Sequence, residues 1–155
     1  MNKTLNDYKN EFLNLKIEII PKENSFGEFI HFKSKYKIYF NDNKEEIKRD
    51  FITKEDNVKK IKIIIIDHKI TSLSRLFYDC KCIKKINFIK FKRDDIKDMS
   101  YMFFLCSSLK ELNLSNFNTN NVTNMSFMFD RCSLLKELKL SNFNTKKVTD
   151  MYSLV

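Results

Sequence analysis

The stretch Met99-Ser-Tyr-Met-Phe-Phe-Leu-Cys-Ser-Ser-Leu-Lys-Glu-Leu-Asn-Leu-Ser-Asn-Phe-Asn-Thr119 recurs, with few changes, as Met125-Ser-Phe-Met-Phe-Asp-Arg-Cys-Ser-Leu-Leu-Lys-Glu-Leu-Lys-Leu-Ser-Asn-Phe-Asn-Thr145. The two copies are 26 residues apart, and a weaker copy with the same phase begins near Leu73. A fixed period of this length indicates a fold in which similar units stack on one another.

Each repeat combines two hydrophobic patterns. The alternation in Leu112-x-Leu114 predicts a short strand, with equivalents at Ile86-x-Phe88 and Leu138-x-Leu140. The i, i+3, i+4, i+7 spacing of Met99, Met102, Phe103 and Cys106 predicts a short helix, for which Asp98, Asn124 and Asp150 are the expected N-caps. The sequence therefore predicts an α/β solenoid of leucine-rich-repeat type, with a short strand and a short helix in every 26-residue repeat.

The strand residues that alternate with the buried ones should form an open, mainly polar surface. These candidate partner-binding residues are Lys85, Asn87, Ile89, Glu111, Asn113, Ser115, Glu137, Lys139 and Ser141. Such a surface suits a protein or glycan better than a phosphate chain, although a solvated face without any ligand is equally compatible with the pattern.

The repeat Met99 to Met125 resembles the 26-residue repeat of the BspA-like leucine-rich-repeat surface proteins. The resemblance is strong over 99–150, fair over 70–98 and absent over 1–45. It implies a leucine-rich-repeat architecture and a role in adhesion or protein–protein interaction at a cell surface. One departure from the wider leucine-rich-repeat class is an apolar Phe spine, at Phe91, Phe117 and Phe143, in place of the usual Asn ladder.

Residues 1–66 do not follow the period and are expected to form a mainly β N-terminal cap with a β-hairpin, while residues 67–155 hold about three repeats of an array that is truncated at its C-terminus. The cap is expected to contain a helix over Thr4–Leu15, strands over Leu15–Ile20, Phe29–Phe32 and Lys35–Phe40, and a turn at Asn41–Asn43 leading into Glu45–Phe51. The run Lys60–Ile66 is expected to be the first strand of the solenoid. A truncated array without a function of its own is also compatible with the sequence.

No residues for catalysis, cofactor binding or metal binding emerge. Cys80, Cys106 and Cys132 share one phase and are read as a buried ladder, and Cys80-x-Cys82 is not a zinc or redox spacing. His31 and His68 lack neighbouring ligand or nucleophile patterns, and capping explains the carboxylates of Asp94, Asp95 and Asp98. We therefore expect a protein that is not an enzyme.

The net charge of +9 raises the alternative of a nucleic-acid or anionic-membrane binder that uses Lys84, Lys85, Lys90, Lys92 and Arg93. The repeat 99–124 argues against this alternative, because its only charged residues are Lys110 and Glu111. The sequence shows no export signal and no transmembrane segment, which predicts a cytoplasmic protein, whereas the family resemblance allows a cell-surface one.

Overall fold

The computed structural model describes residues 14–31 and 35–155, and the regular structure within these ranges is entirely β. Five strands form one mixed sheet in the order β3-β5-β1-β6-β7, and β2 and β4 form a separate two-stranded sheet. The strands are β1 (Leu15–Pro21), β2 (Gly27–Glu28), β3 (Tyr36–Phe40), β4 (Phe51–Ile52), β5 (Ile61–Ile65), β6 (Ile83–Lys90) and β7 (Glu111–Asn113). The described ranges hold no helix long and apolar enough to cross a membrane.

Strand β1 lies at the centre of the large sheet. Its residues alternate between buried and half-buried positions along its whole length, as in a strand with one face on the core. Ile17 and Ile19 are fully buried, and β1 pairs antiparallel with β5 on one side and with β6 on the other. The strand therefore covers an edge of β6 that would otherwise be open to another chain.

The predictions for the N-terminal region are confirmed in part. Strands were expected at Leu15–Ile20 and Lys35–Phe40, and they appear as β1 and β3. The prediction for Phe29–Phe32 is wrong over its described part, because Phe29 is buried outside any strand, with its ring 5.9 Å from that of Phe40. The predicted helix Thr4–Leu15 lies almost wholly outside the described residues, and Leu15 itself begins β1.

The expected hairpin is present only as a fragment. Asn41 and Asp42 form the turn with positive φ angles of 51° and 62°, which Asn and Asp tolerate better than most residues. The chain then makes a single antiparallel bridge, Ile38 to Ile47, and β4 pairs with β2.

The run Lys60–Ile66 does form a strand, β5, but its expected place as the first strand of the repeats is wrong. Strand β5 lies between β3 and β1 and is antiparallel to both. Ile61, Ile63 and Ile65 are buried at the core, and the antiparallel register sets Ile63 opposite Ile17. Strands from both sides of residue 66 thus share one sheet and one core, and the boundary at 66/67 stays a prediction.

The 26-residue period governs the backbone pairing of the repeats. Strands β6 and β7 are parallel, with Lys85 opposite Glu111 and Ile86 opposite Leu112. A second line of parallel bridges joins Ser72, Asp98, Asn124 and Asp150 in turn. The repeats 73–98, 99–124 and 125–150 therefore lie one upon the next, each in register with its neighbour.

Aromatic rings form two ladders through the stacked repeats. Phe103 is stacked between Phe77 and Phe129, with ring centroids 5.8 Å and 5.6 Å away. Phe117 is stacked between Phe91 and Phe143, at 4.3 Å and 6.1 Å. The second ladder confirms the Phe spine predicted from the sequence, and both ladders add to the apolar area that the repeats bury.

The predicted helix of each repeat is wrong, and with it the α/β fold class. Residues 99–106 form successive turns, and their N–H groups do not bond within a helix. The N–H groups of Tyr101, Phe103 and Leu105 donate to carbonyls of the following repeat at 2.9–3.1 Å, and that of Met99 donates to Asn124, the last residue before it. The N–H groups of Met102, Phe104 and Cys106 donate to the carbonyl three residues earlier, as in a turn. None of these N–H groups therefore makes the bond to the carbonyl four residues earlier that defines an α-helix.

Positive φ angles recur with the same period and exclude a helix directly. Tyr101 and Leu105 have φ of 55° and 62°, and the equivalents Phe127 and Arg131 have 55° and 61°. A turn with positive φ at its third residue reverses the chain, whereas a right-handed helix requires negative φ throughout. The hydrophobic spacing that mimicked a helix arises because the turns also place every third or fourth side chain on the core.

Arg131 provides a test of this correction, because it is exposed and has a positive φ. We expect Arg131→Gly to be more stable than Arg131→Ala by about 1 kcal/mol, since a β-carbon is penalised in the left-handed region. In a helix the order would be reversed by about the same amount. Unfolding in denaturant measures the difference, and the exposed Lys136, whose φ is not positive, provides the control pair Lys136→Gly and Lys136→Ala, in which Ala should be the more stable.

Candidate functional site

The outward side of β6 and β7 carries the first part of the predicted partner-binding face. Lys85 Nζ lies 2.8 Å from Glu111 Oε2, and Asn113 Nδ2 donates to Asn87 Oδ1 at 3.0 Å. The hydrogen bond from Lys85 keeps the pKa of Glu111 below its ordinary value. Side chains of neighbouring repeats thus hold one another in place. These side chains would therefore lose less conformational entropy when a ligand binds to them.

A β-bulge alters the alternation at the end of β6. Lys16 on β1 is opposite Lys90, and the next residue, Ile17, is opposite Phe88, so that Ile89 is the extra residue. Ile89 is 51% exposed, as predicted for this face. Lys90 joins it on the outward side, a position that strict alternation from Lys85 did not predict.

An open cleft of about 690 Å³ separates β7 from the segment 136–142. Six of the nine predicted residues line it, namely Glu111, Asn113, Ser115, Glu137, Lys139 and Ser141. Strand β7 pairs with β6 on one side, and no described strand pairs with its other edge, which faces this cleft. The cleft therefore combines side chains of two repeats with a free strand edge.

The third repeat is hydrogen-bonded to the second on either side of this cleft, through Cys132 and Asn142, and the cleft separates the two repeats between these bonds. Cys132 Sγ donates to the Phe103 carbonyl at 3.0 Å, and Asn142 Nδ2 donates to the Leu114 carbonyl at 3.1 Å. The strand predicted at Leu138-x-Leu140 is wrong, because these residues are only half-buried and have no strand pairing.

The sequence missed the part of the face that the N-terminal strands contribute. Glu18 of β1 is opposite Asn87 on one side and Lys62 on the other, so the outward sides of β1 and β5 continue that of β6. The further outward residues are Lys16, Ile20, Lys37, Tyr39 and Ile64. The alternation within Leu15–Pro21 was the available signal, but it could not indicate that β1 would lie next to β6.

The cysteine ladder is structural. Cys106 Sγ donates to the Phe77 carbonyl at 2.9 Å, the same bond that Cys132 makes one repeat later. Burial raises the pKa of Cys82 to about 11 and that of Cys132 to about 12, and it raises the pKa of Cys80 well above its usual value. Thiols in this state are protonated at neutral pH and are poor nucleophiles and metal ligands.

Asp98, Asn124 and His31, among the remaining candidate groups, have local partners. Asp98 Oδ1 accepts the Ser100 N–H at 2.9 Å, as Asn124 Oδ1 does from Ser126, so the predicted caps begin turns in place of helices. His31 Nε2 lies 3.2 Å from a carboxylate oxygen of Glu28. The described residues hold no group of three His, Cys, Asp or Glu side chains that could bind a metal ion.

Arg93 belongs to the interior and not to a basic patch. It is 2% exposed, and its guanidinium donates to the carbonyls of Asp67, His68 and Ile70 and, at 2.7 Å, to both carboxylate oxygens of Asp95. These bonds tie the segment that enters the first repeat to the loop after β6. The basic residues that the sequence suggested for nucleic-acid binding therefore do not form one exposed patch, because Arg93 is buried and Lys85 is paired with Glu111.

Arg93→Lys should lower the free energy of unfolding by about 2 kcal/mol, because one ammonium group cannot replace a planar fork that serves three carbonyls and a carboxylate. Chemical denaturation measures the loss, and the exposed Lys146→Arg is a control that should change little.

The hydrogen bond from Arg93 lowers the pKa of Asp95 in the folded protein. A carboxylate of this kind stabilises the fold above its unfolded pKa of about 4, and the contribution disappears as the pH falls further. The stability difference between the native chain and Asp95→Asn should therefore shrink below about pH 4. A difference that stays constant from pH 7 to pH 3 would contradict this role of the ion pair.

Comparison with known proteins gives a family and no activity. Neither a curated protein nor a solved structure matches the chain. Residues 67–155, which are more than half of the chain and contain all three repeats, match the family described as Mycoplasma protein of unknown function, DUF285. The chain, through these repeats, is a member of the DUF285 family.

Proposed function

We propose that this chain is a non-enzymatic binding module that holds a protein partner on the outward side of its large sheet. The observation that carries the proposal is the cleft beside β7, where six of the nine outward residues predicted from the sequence come together. Stacked repeats of this kind expose one continuous surface made of side chains from successive repeats, which suits a macromolecule.

The free edge of β7 favours a protein over a glycan. Unpaired N–H and C=O groups along a strand edge can accept an extended segment of another chain, and the side chains on either side of that edge then select its sequence. Glu111 and Asn113 lie on the edge strand itself, while Glu137 and Lys139 lie across the cleft. An incoming segment would thus meet side chains of both the second and the third repeat.

The resemblance of the repeats to BspA-like surface proteins supports the same class of function. Proteins of that family serve in adhesion, and the corresponding role for this chain would be attachment to a protein of another cell or of its own cell surface. The Phe and Cys residues that recur most regularly in the repeats pack against their equivalents or bond to the neighbouring repeat, so their recurrence is explained by the fold. The side chains left for recognition are those of the outward face.

Filling the cleft tests the proposal. The variant with Ser115→Tyr and Ser141→Tyr places two rings in the cleft, at exposed positions whose side chains make no described hydrogen bond. The partner is captured from a lysate of the source cells on the immobilised chain, identified by mass spectrometry and titrated against both proteins. We expect the cleft variant to bind it at least tenfold more weakly.

The control carries the same two side chains elsewhere, with Thr71→Tyr and Thr145→Tyr at exposed positions outside the cleft. It should keep the affinity of the native chain. Equal affinity of the cleft variant and the native chain would show that the partner binds elsewhere and would refute the proposal.

A further inference from the structure

A second open cavity, of about 560 Å³, lies at the end of β1, whereas the cleft described above lies beside β7. Its walls are the end of β1, the turn 22–26, the segment 52–59 and Lys84 at the start of β6. Its volume is within the range of small-molecule sites, which is about 300–1,000 Å³. No local pattern pointed to this cavity, because three separate parts of the chain build it.

The cavity is lined by four lysines, namely Lys22, Lys54, Lys59 and Lys84. Three of them are exposed and Lys84 is half-buried. Among the described residues, no carboxylate forms an ion pair with any of the four. The carboxylates that line the cavity or lie near it therefore decide whether its positive charge is balanced.

Asp56 lines the cavity, but its carboxylate is already engaged. Oδ1 accepts a hydrogen bond from Arg49 Nη2 at 2.6 Å, and Oδ2 accepts bonds from Arg49 Nη1 and from the Thr53 N–H, both at 2.7 Å. The bonds from Arg49, followed by the bond from Thr53, hold the pKa of Asp56 well below its ordinary value. Asp56 and Arg49 are neutral as a pair, so Glu23 is the one lining carboxylate left against four lysines. Even if Glu55, which is exposed outside the lining, is added, the lysines outnumber the carboxylates two to one.

The carboxylates beyond these are near lysines that are not part of the lining. They are Glu111 with Lys85 at 2.8 Å, Asp42 with Lys60 at 2.5 Å, and Glu18 with Lys60 at 3.9 Å. Lys84 also acts on Glu111, but the pKa of Glu111 is lowered mainly by the hydrogen bond from Lys85. The excess of positive charge in the cavity is thus not cancelled from outside.

Phosphate groups suit this charge and this size. A concave surface that carries one sign of charge concentrates the electric field and attracts counter-ions, and lysine ammonium groups bind phosphates as point charges. A polyphosphate holds several negative charges on adjacent groups, whereas three carboxylates on one face of an extended peptide span about 13 Å. A compact phosphorylated ligand therefore fits the cavity better than an acidic polypeptide does.

An aromatic ring stands beside the lysines. Phe26 is 51% exposed at the wall of the cavity, and Lys54 Nζ lies 5.1 Å from the centroid of its ring. The turn that presents it is followed by Gly27, the only glycine of the chain, whose φ of 123° favours glycine. Buried Ile52 and half-buried Val58 add apolar wall. An exposed ring next to cations is the combination that binds a base by stacking and its phosphates by charge.

We propose that this cavity binds a nucleoside polyphosphate, with its phosphates on Lys22, Lys59 and Lys84 and its base stacked on Phe26. The ligand is a small molecule and the cavity is separate from the cleft, so the inference goes beyond the proposed function. The chain would then carry a nucleotide at the end of β1 and a protein partner beside β7.

The test titrates the full chain with four probes by isothermal calorimetry in the presence of EDTA. The probes are ATP, inorganic tripolyphosphate, AMP and a tetraglutamate peptide. The cavity variant carries Lys22→Gln and Lys59→Gln, and the matched control carries Lys69→Gln and Lys146→Gln, which removes the same charge at exposed positions outside the lining. Phe26→Leu removes the ring, and Phe26→Tyr keeps it. Thermal unfolding of each variant checks that it is folded.

We expect the native chain to bind ATP most tightly, tripolyphosphate next, and AMP and the peptide more weakly. The cavity variant should lose at least tenfold in affinity for ATP and for tripolyphosphate, and Lys22→Gln alone at least threefold. The control should lose less than threefold, since exposed charges more than about 8 Å from the site are screened at physiological salt. Phe26→Leu should weaken ATP at least about fivefold, the lower end of what base stacking contributes, and should leave tripolyphosphate unchanged, while Phe26→Tyr should retain ATP.

Several results would overturn the inference. These are no binding of ATP, an equal loss in the cavity and control variants, tighter binding of the peptide, and an affinity for ATP that Phe26→Leu leaves unchanged. The cleft variant with Ser115→Tyr and Ser141→Tyr should bind ATP as the native chain does. Failure of the nucleotide site therefore leaves the proposed function standing, and loss of the protein partner leaves the nucleotide site standing.

Discussion

The fold depends on the hydrogen bonds that join each repeat to the next. In the turn segments, alternate N–H groups donate to the following repeat, from Arg75 to Ser100 at 3.1 Å and from Tyr101 to Ser126 at 2.9 Å. Bonds between repeats force every repeat to the same length, because an insertion would displace all later donors from their acceptors. They also prevent a helix, since a backbone N–H that donates to a neighbouring repeat is not available to its own turn.

Side chains follow this backbone register and could not form ladders without it. The stacked pair Phe103 and Phe129, with a centroid distance of 5.6 Å, exists because the two residues occupy equivalent positions in successive turns. The thiols of Cys106 and Cys132 donate to a carbonyl of the preceding repeat for the same reason. Positive φ angles at equivalent residues are the cost of these turns, and the inter-repeat bonds and aromatic stacking offset it.

The N-terminal region covers a strand edge that the repeats alone would leave unpaired. A parallel ladder ends in a strand with an unpaired edge, and β1 covers that edge on β6 by pairing antiparallel to it. The same pairing places the polar residues of β1 beside those of β6, so the strand that closes the stack also widens its outward face. On the other side of β6, the outer edge of β7 has no strand partner among the described residues and lies beside the cleft, so the two sides of the paired repeat strands differ chemically.

The sequence by itself determined the period, the Phe spine, the ladder of Cys80, Cys106 and Cys132, and the strands β1, β3 and β5, because each is fixed by local alternation or by equal spacing of similar side chains. It also gave outward positions on β6 and β7, such as Lys85, Asn87 and Glu111, but not the outward position of Lys90 at the bulge. The tertiary structure decided the rest. Spacing such as that of Met99, Met102, Phe103 and Cys106 fits a helix and a series of turns equally well, and only the acceptors in the next repeat select the turns. The joined outward sides of β5, β1 and β6 likewise depend on strand pairing, which brings together residues as distant in sequence as Glu18 and Asn87 and which no local pattern encodes.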